Sequence, residues 1–330
     1  MKVAVIRLTM FLAIFSIAAT CIAREPPVAT ASGEPGAPAA RMAHFRVTGY
    51  LPDYELGRLD PAAVALVDEL IYFSIEPRAD GRLDTSRASP QALARLQKLT
   101  AGQPTRLMLS VGGGDRSGGF AAMATHAAAR ADFVKALSKF CLANHFAGAD
   151  FDWEFPANKA EKSAYDQLLL DTKATFAADG LALSVAVIPS QQFSREAIGA
   201  VDQFHLMSYD HGGPEHATLQ QARGDIRALT ARGVPPEKIL LGVPFYGRTR
   251  RGQALSWAQI VARFHPAAAA DSADIYSFNG PETIAKKVRL AQEEKLGGLM
   301  IWELGQDLAP TQPGSLLGAI RGALKQLSSR

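Results

Sequence analysis

From about residue 43 onward, short and mostly apolar runs alternate with longer stretches whose apolar positions recur every three or four residues. The short runs are His44 to Tyr50, Glu69 to Ile75, Arg106 to Val111, Gly148 to Glu154, Leu181 to Ile188, Gln203 to Tyr209, Ile239 to Tyr246 and Gly298 to Trp302. Each has strand length and strand composition. The stretches between them read as helices. In Phe133 to Cys141, for example, Phe133, Val134, Leu137, Phe140 and Cys141 share one helical face, which makes Cys141 a packing residue. The stretch after Asn279-Gly280 opens with Pro281 at a first helical position and closes near Gly297-Gly298. Strands alternating with helices predict a parallel sheet covered by helices. Eight such units in roughly 285 residues predict an α/β fold of the closed (β/α)8 TIM-barrel type. No Gly-x-Gly-x-x-Gly follows the first run, so a doubly wound open sheet lacks its marker.

The first 42 residues have a different texture. Lys2 and Arg7 precede an apolar run from Leu8 to Thr20, and Cys21-Ile22-Ala23 offers small residues for cleavage, which predicts an export signal over residues 1–23. The expected destination is the periplasm or the exterior. A second reading takes Ala18-Ala19-Thr20-Cys21 as a lipoprotein box with a lipid on Cys21. The run of thirteen residues is too short to span a bilayer, and no other segment is long and apolar enough. Residues 24–42 hold Pro26, Pro27, Pro35 and Pro38 among Ala, Gly and Ser, the composition of a flexible linker. The barrel is expected over residues 43–327, with no appended carbohydrate-binding module.

Composition narrows the function. With 48% apolar residues in 330, the chain can bury a large core, so a disordered chain is excluded. Its net charge of +3 falls to about +1 without Lys2 and Arg7, too weak a field to expect a nucleic-acid partner. Cys21 and Cys141 are the only cysteines, which excludes a disulfide scaffold and a multi-cysteine metal site. No cofactor or metal is expected, and the expected state is a monomer.

The chemistry concentrates in the fourth run, Gly148-Ala149-Asp150-Phe151-Asp152-Trp153-Glu154. Side chains alternate along a strand, so Asp150, Asp152 and Glu154 share one face, and Ala149, Phe151 and Trp153 share the other. With the apolar face against helices, the carboxylates point into the barrel. Three buried charges are costly as mere structure. A polar plug and a site for a hard cation are the competing readings. Crowding raises at least one carboxyl pKa, and the residue nearest the open mouth meets substrate, so Glu154 is the expected proton donor. Asp152 is the expected charged partner behind it, with Asp150 deeper.

Around this strand the chain resembles glycoside hydrolase family 18, the chitinases and their relatives, whose signature runs Asp-Gly-x-Asp-x-Asp-x-Glu. Phe146 to Pro156 carries that pattern with Ala147 in place of the first Asp. Ser110-Val111-Gly112-Gly113 resembles the family's Ser-x-Gly-Gly, and Met207-Ser208-Tyr209-Asp210 its Met-x-Tyr-Asp. Gly242 to Arg248 and Gly297 to Glu303 are similar to its seventh and eighth strands.

The resemblance implies retaining, substrate-assisted hydrolysis of β-1,4 bonds in chitin-type polymers or oligosaccharides of N-acetylglucosamine. Glu154 would act as general acid and base, Asp152 would orient the acetamide, and Tyr209 would bind its oxygen. Trp302 is expected as a sugar platform, with Tyr50, Asp210, Tyr246, Arg248 and Met207 as further substrate contacts. Ser110 is expected as another substrate contact and as a hydrogen-bond partner of Asp150, with Gly112 and Gly113 allowing close backbone approach. His205 is read as a core histidine, and the roles of His211 and Trp257 stay open. Ala147 is expected to change stability slightly and leave activity intact.

Only about 33 residues separate Arg248 from the helix at Pro281, too few for an inserted second domain, so an open, shallow cleft is expected. Three tryptophans, Trp153, Trp257 and Trp302, give no long aromatic track, which favours soluble or partly degraded chains. An endo-β-N-acetylglucosaminidase acting on N-glycans or peptidoglycan, or a non-catalytic chitin-binding lectin, are the alternatives.

Overall fold

The computed structural model describes residues 45–328. The proposed signal segment, Cys21 and the linker lie outside the described residues. The eight runs form parallel strands: β1 (Arg46–Pro52), β2 (Glu69–Pro77), β3 (Arg106–Gly112), β4 (Gly148–Asp152), β5 (Ala182–Val187), β6 (Gln203–Leu206), β7 (Ile239–Pro244) and β8 (Gly298–Trp302). Each pairs with its sequence neighbour, and β1 pairs with both β2 and β8, so the sheet closes into a barrel.

The two-residue alternation along each strand builds two separate apolar layers. Outward residues such as Val47, Leu109, Phe151, Val185, Phe204 and Leu241 join the helices in one large core. Inward Tyr50, Ile71, Phe73, Met108, Leu240 and Met300 form a smaller cluster inside the barrel. Phe151 lies between Phe120 and Phe133, and Trp153 stacks on Phe120 with ring centroids 5.2 Å apart.

Among the described residues, ten α-helices cover the outside: α1 (Pro61–Val64), α2 (Pro90–Thr100), α3 (Phe120–Thr125), α4 (Ala127–Ala143), α5 (Lys159–Asp179), α6 (Arg195–Ala200), α7 (Leu219–Thr230), α8 (Trp257–Phe264), α9 (Pro281–Glu293) and α10 (Leu316–Ser328). Helix α4 buries Phe133, Val134, Leu137 and Cys141, as the apolar spacing predicts. Ser89, Asn158, Ser194 and Thr218 cap the starts of α2, α5, α6 and α7 by accepting backbone N–H bonds.

Several element ends differ from the sequence reading, three of them consequentially. Helix α9 ends at Glu293 rather than near Gly297-Gly298, because Lys295 makes the turn at φ 56° and Gly298 opens β8. Strands β4 and β6 stop at Asp152 and Leu206, leaving Glu154 and Tyr209 just beyond their ends.

After β7 the chain builds only a small sheet. Tyr246–Arg248 pairs antiparallel with Ala254–Ser256 and meets Tyr276–Ser277, which pairs with Ser272–Ala273. No sizeable domain is inserted there. Trp257 anchors this region as a core residue: it is 2% exposed, packs on Phe278, and its Nε1 donates to the Gly314 carbonyl at 2.9 Å.

Candidate active site

Strand β4 delivers its carboxylates in order of depth: Asp150 is fully buried, Asp152 is 4% exposed, and Glu154 is half-buried at the mouth. Asp150 sits in a saturated nest. Its Oδ2 accepts from the Tyr50 hydroxyl at 2.7 Å, its Oδ1 accepts from Ser184 Oγ at 2.7 Å, and His205 Nδ1 lies 3.0 Å from Oδ1. Ser110 Oγ reaches Oδ2 only at 3.5 Å. Burial works against charge on Asp150, yet His205 and the hydrogen bonds from His205, Tyr50 and Ser184 outweigh it and hold the carboxyl below its ordinary range.

The outer pair has the opposite character. Asp152 is driven well above the usual carboxylate range, first by burial and then by the charges of Glu154 and Asp150, and its Oδ1 has no hydrogen-bond partner. Burial also raises Glu154; the Gly114 N–H, donating to Oε1 at 3.0 Å, opposes this, and Asp210 and Asp115 add to it. The sequence reading made Asp152 the charged partner. The donors instead converge on Asp150 and none reaches Asp152 Oδ1, so the surroundings favour charge on Asp150 over Asp152.

The turn after β3 fixes this pair. Gly112 and Gly113 both lie at φ 95°. A Cβ on Gly112 would lie 2.5 Å from the Asp152 carbonyl oxygen, and one on Gly113 would lie 2.2 Å from the Phe73 ring. The close approach lets Gly113 N donate to the Asp152 carbonyl at 2.6 Å. Ser117 completes the turn: its Oγ donates to the Asp152 carbonyl at 3.1 Å and accepts from Glu154 N at 3.0 Å.

Asp152 and Glu154 open into a cleft of about 580 Å³. Its floor and walls include Tyr50, Phe73, Met207, Tyr209, Met300 and Trp302. Trp302 meets Phe73 edge-on, with ring centroids 4.9 Å apart, and keeps part of its own surface exposed. The Tyr209 hydroxyl has only a weak internal acceptor, Met300 Sδ at 3.9 Å, so the phenol is available to a ligand. A larger cavity of about 820 Å³ lies beside the small sheet after β7, but no carboxylate of β4 lines it.

Asp210 faces the same cleft from φ 58°. It accepts from Tyr246 Oη at 2.7 Å, and Arg248 Nη1 lies 2.5 Å away. Burial opposes its charge, but bonds from His216, Arg248 and Tyr246 lower its pKa to about 2.

The structure thus gathers Glu154, Asp152, Tyr209, Tyr50, Asp210, Met207 and Trp302 at one cleft. Three expected substrate contacts lie elsewhere. Ser110 is fully buried beneath the carboxylates. Tyr246 and Arg248 stand behind Asp210 and bond to it, outside the cleft lining. His205 is a satisfied core histidine, bonded to Asp150, Tyr50 and Gln203.

The sequence reading missed Phe73, Ser184 and Arg116. Phe73 and Ser184 occupy the inward phase of β2 and β5, a signal available from alternation alone. Arg116 lies over the Phe73 ring at 4.9 Å and donates to Asp53 at 2.8 Å; its loop position offers no such signal. Among the described residues no cluster of three or more His, Cys, Asp or Glu could hold a metal ion, and no helix is long and apolar enough to cross a membrane.

Comparison with known proteins agrees with this geometry. The chain is 24% identical over 271 residues to "Probable chitinase 2" of Drosophila melanogaster, covering 61% of this chain and 56% of that protein. It is 26% identical over 314 residues to an endochitinase of Brugia malayi, covering 74% of this chain and 62% of that one. It therefore spans less than two thirds of the length of these relatives. Among solved structures, a chitinase from Bacteroides thetaiotaomicron superposes with a TM-score of 0.78 at 21% identity, covering 87% of this chain and 98% of that one. The GH18 chitinase ChiB of Flavobacterium johnsoniae gives 0.76 at 24% identity, covering 86% and 94%. The model of glycosyl hydrolases family 18 matches residues 46–307, and the chain belongs to that family.

Proposed function

We propose that the protein hydrolyses β-1,4 bonds of chitin-type N-acetylglucosamine chains, with Glu154 as general acid and base and the substrate's own acetamide as nucleophile. One observation carries this reading: at the mouth of β4, Glu154 is half-buried, its pKa is raised by burial, and it faces a cleft with Asp152, Tyr209 and Trp302.

In the first step Glu154 gives its proton to the glycosidic oxygen as the bond from that oxygen to the anomeric carbon breaks. The acetamide oxygen attacks the same carbon, forming an oxazolinium ion. Tyr209 Oη donates to the acetamide, Asp152 orients it, and the Glu154 carboxylate left by the proton transfer carries the negative charge that offsets the oxazolinium. In the second step the Glu154 carboxylate takes a proton from water, whose oxygen attacks the anomeric carbon and reopens the ring with retained configuration. Trp302 offers the sugar a flat apolar face.

The names of the relatives agree with this substrate class, and a plant class V chitinase from Cycas revoluta with the same fold was solved in complex with (GlcNAc)3. No observation at the site favours N-glycans, peptidoglycan or a lectin role. Export, by secretion or to the periplasm, is proposed on the sequence alone. The test is Glu154→Gln assayed on chitin oligomers, N-glycans and peptidoglycan fragments. The variant should lose about 10²–10⁴-fold in turnover of chitin oligomers and still bind them. Undiminished turnover would overturn the acid assignment, and a wild type active only on another of the three would overturn the substrate.

A further inference from the structure

His211, one residue beyond Asp210, is absent from the mechanism above, yet its ring is held at both nitrogens. Nδ1 lies 3.0 Å from the His216 carbonyl oxygen, and Nε2 lies 2.9 Å from Asp225 Oδ2. A backbone carbonyl and a carboxylate only accept, so both contacts are hydrogen bonds only when both ring nitrogens carry protons. The His211 backbone N–H also donates to the His216 carbonyl at 3.1 Å. These bonds close the segment from 211 to 216 into a loop. Closure places His216 Nδ1 3.3 Å from Asp210 Oδ1, inside the cleft wall. On the other side, Asp225 is 8% exposed on α7 and also accepts from Ser208 Oγ at 2.6 Å.

We propose that His211, as an imidazolium paired with Asp225, is a positioning residue that clamps the 210–216 loop to α7 and so fixes Asp210 beside Glu154. The inference rests on the glycosidase reading for its effect on turnover. The groups facing the clamp are Asp225 and Ser208 on one side, His216 and Asp210 with its partner Arg248 on another, and Lys287 of α9, fully buried behind Asp225. The hydrogen bond to Asp225 holds the proton on His211 above its ordinary range, against burial and the repulsion of Lys287. The clamp is therefore intact below that raised range and opens as pH rises through it.

Asp225→Asn provides the test, because an amide keeps an acceptor for Ser208 and removes the counter-ion. His211 ring titration by NMR and kcat/KM on an acetylated chitin oligomer are followed from about pH 5 to about pH 9. The wild-type ring should carry both N–H groups at neutral pH, and in Asp225→Asn its titration should move down by about one unit or more, a tenfold weaker hold on the proton. Activity of the variant should match wild type at the acid end and fall about tenfold below it between the two titration points. His211→Ala, which has no strut, should lose about tenfold at every pH, with free imidazole restoring part of the loss. An unmoved titration overturns the clamp, as does a shifted titration with activity parallel to wild type. A wild type that turns over nothing overturns the glycosidase reading instead. Oligomer binding then replaces turnover, with the same divergence expected and coincident curves counting against the clamp.

Discussion

Asp150 and its more exposed neighbour Asp152 show how converging donors, rather than depth, decide which of two buried carboxyls is held low and which is driven up. Three close donors converge on Asp150, whereas Asp152 Oδ1 has none. The unequal distances to Ser184 and Ser110, 2.7 Å against 3.5 Å, give a direct comparison. Ser184→Ala should cost about 1.5–3 kcal/mol in urea unfolding, the range for a bond to a charged acceptor, and Ser110→Ala should cost less. Tyr209 separates function from stability in the other direction. Because its hydroxyl has only a sulfur at 3.9 Å, Tyr209→Phe should leave the thermal midpoint nearly unchanged. The same change should lower kcat by about 10²-fold, since it removes a donor aimed at developing charge.

Strand β4 and the turn after β3 work as one element, because the glycine backbone of one touches the carbonyl of the other. Gly112→Ala would set a methyl group 2.5 Å from the Asp152 carbonyl at a φ of 95°. It should destabilise the fold by about 1–3 kcal/mol and lower activity, both measurable by denaturation and oligomer turnover. The elements themselves are largely legible in the sequence, because inward and outward faces of a barrel strand differ and period two exposes them. That alternation alone puts Asp150, Asp152 and Glu154 on one face. It overshoots at β4 and β6, where side-chain alternation runs on past the last backbone pairing, and it is there, at the mouth, that Glu154 and Tyr209 stand. The grouping of Asp210 with Tyr246, Arg248 and His216 is not legible, because it joins residues up to 38 apart through two loops. Nor is the upward shift of the Asp152 carboxyl relative to Asp150, which depends on where donors from β1, β5 and β6 converge.

Over the whole molecule, buried carboxyls make stability depend on pH. Glu303 is fully buried, and its pKa is raised from 4.5 to about 7 by burial and then by Glu55, with Gln306 and Tyr54 opposing. Between those two values the folded state holds a proton that the unfolded state has released, so stability falls as pH rises. The shift corresponds to about 3 kcal/mol. Glu303→Gln should remove that loss, so its thermal midpoint should rise relative to wild type as pH climbs through this window. Asp210 acts oppositely, with its pKa lowered from 3.8 to about 2: its contribution is complete above the unfolded value and is lost as pH falls through that range. The barrel thus carries both signs of linkage, and the raised acids at its mouth, Asp152 and Glu154, add to the loss of stability as pH rises. The central claim is that Glu154 supplies the proton while the sugar's own amide completes bond cleavage, and the most direct measurement compares hydrolysis of a chitin oligomer with that of the same oligomer fully de-N-acetylated. The account predicts rapid cleavage of the first and none above background for the second; equal rates would contradict it.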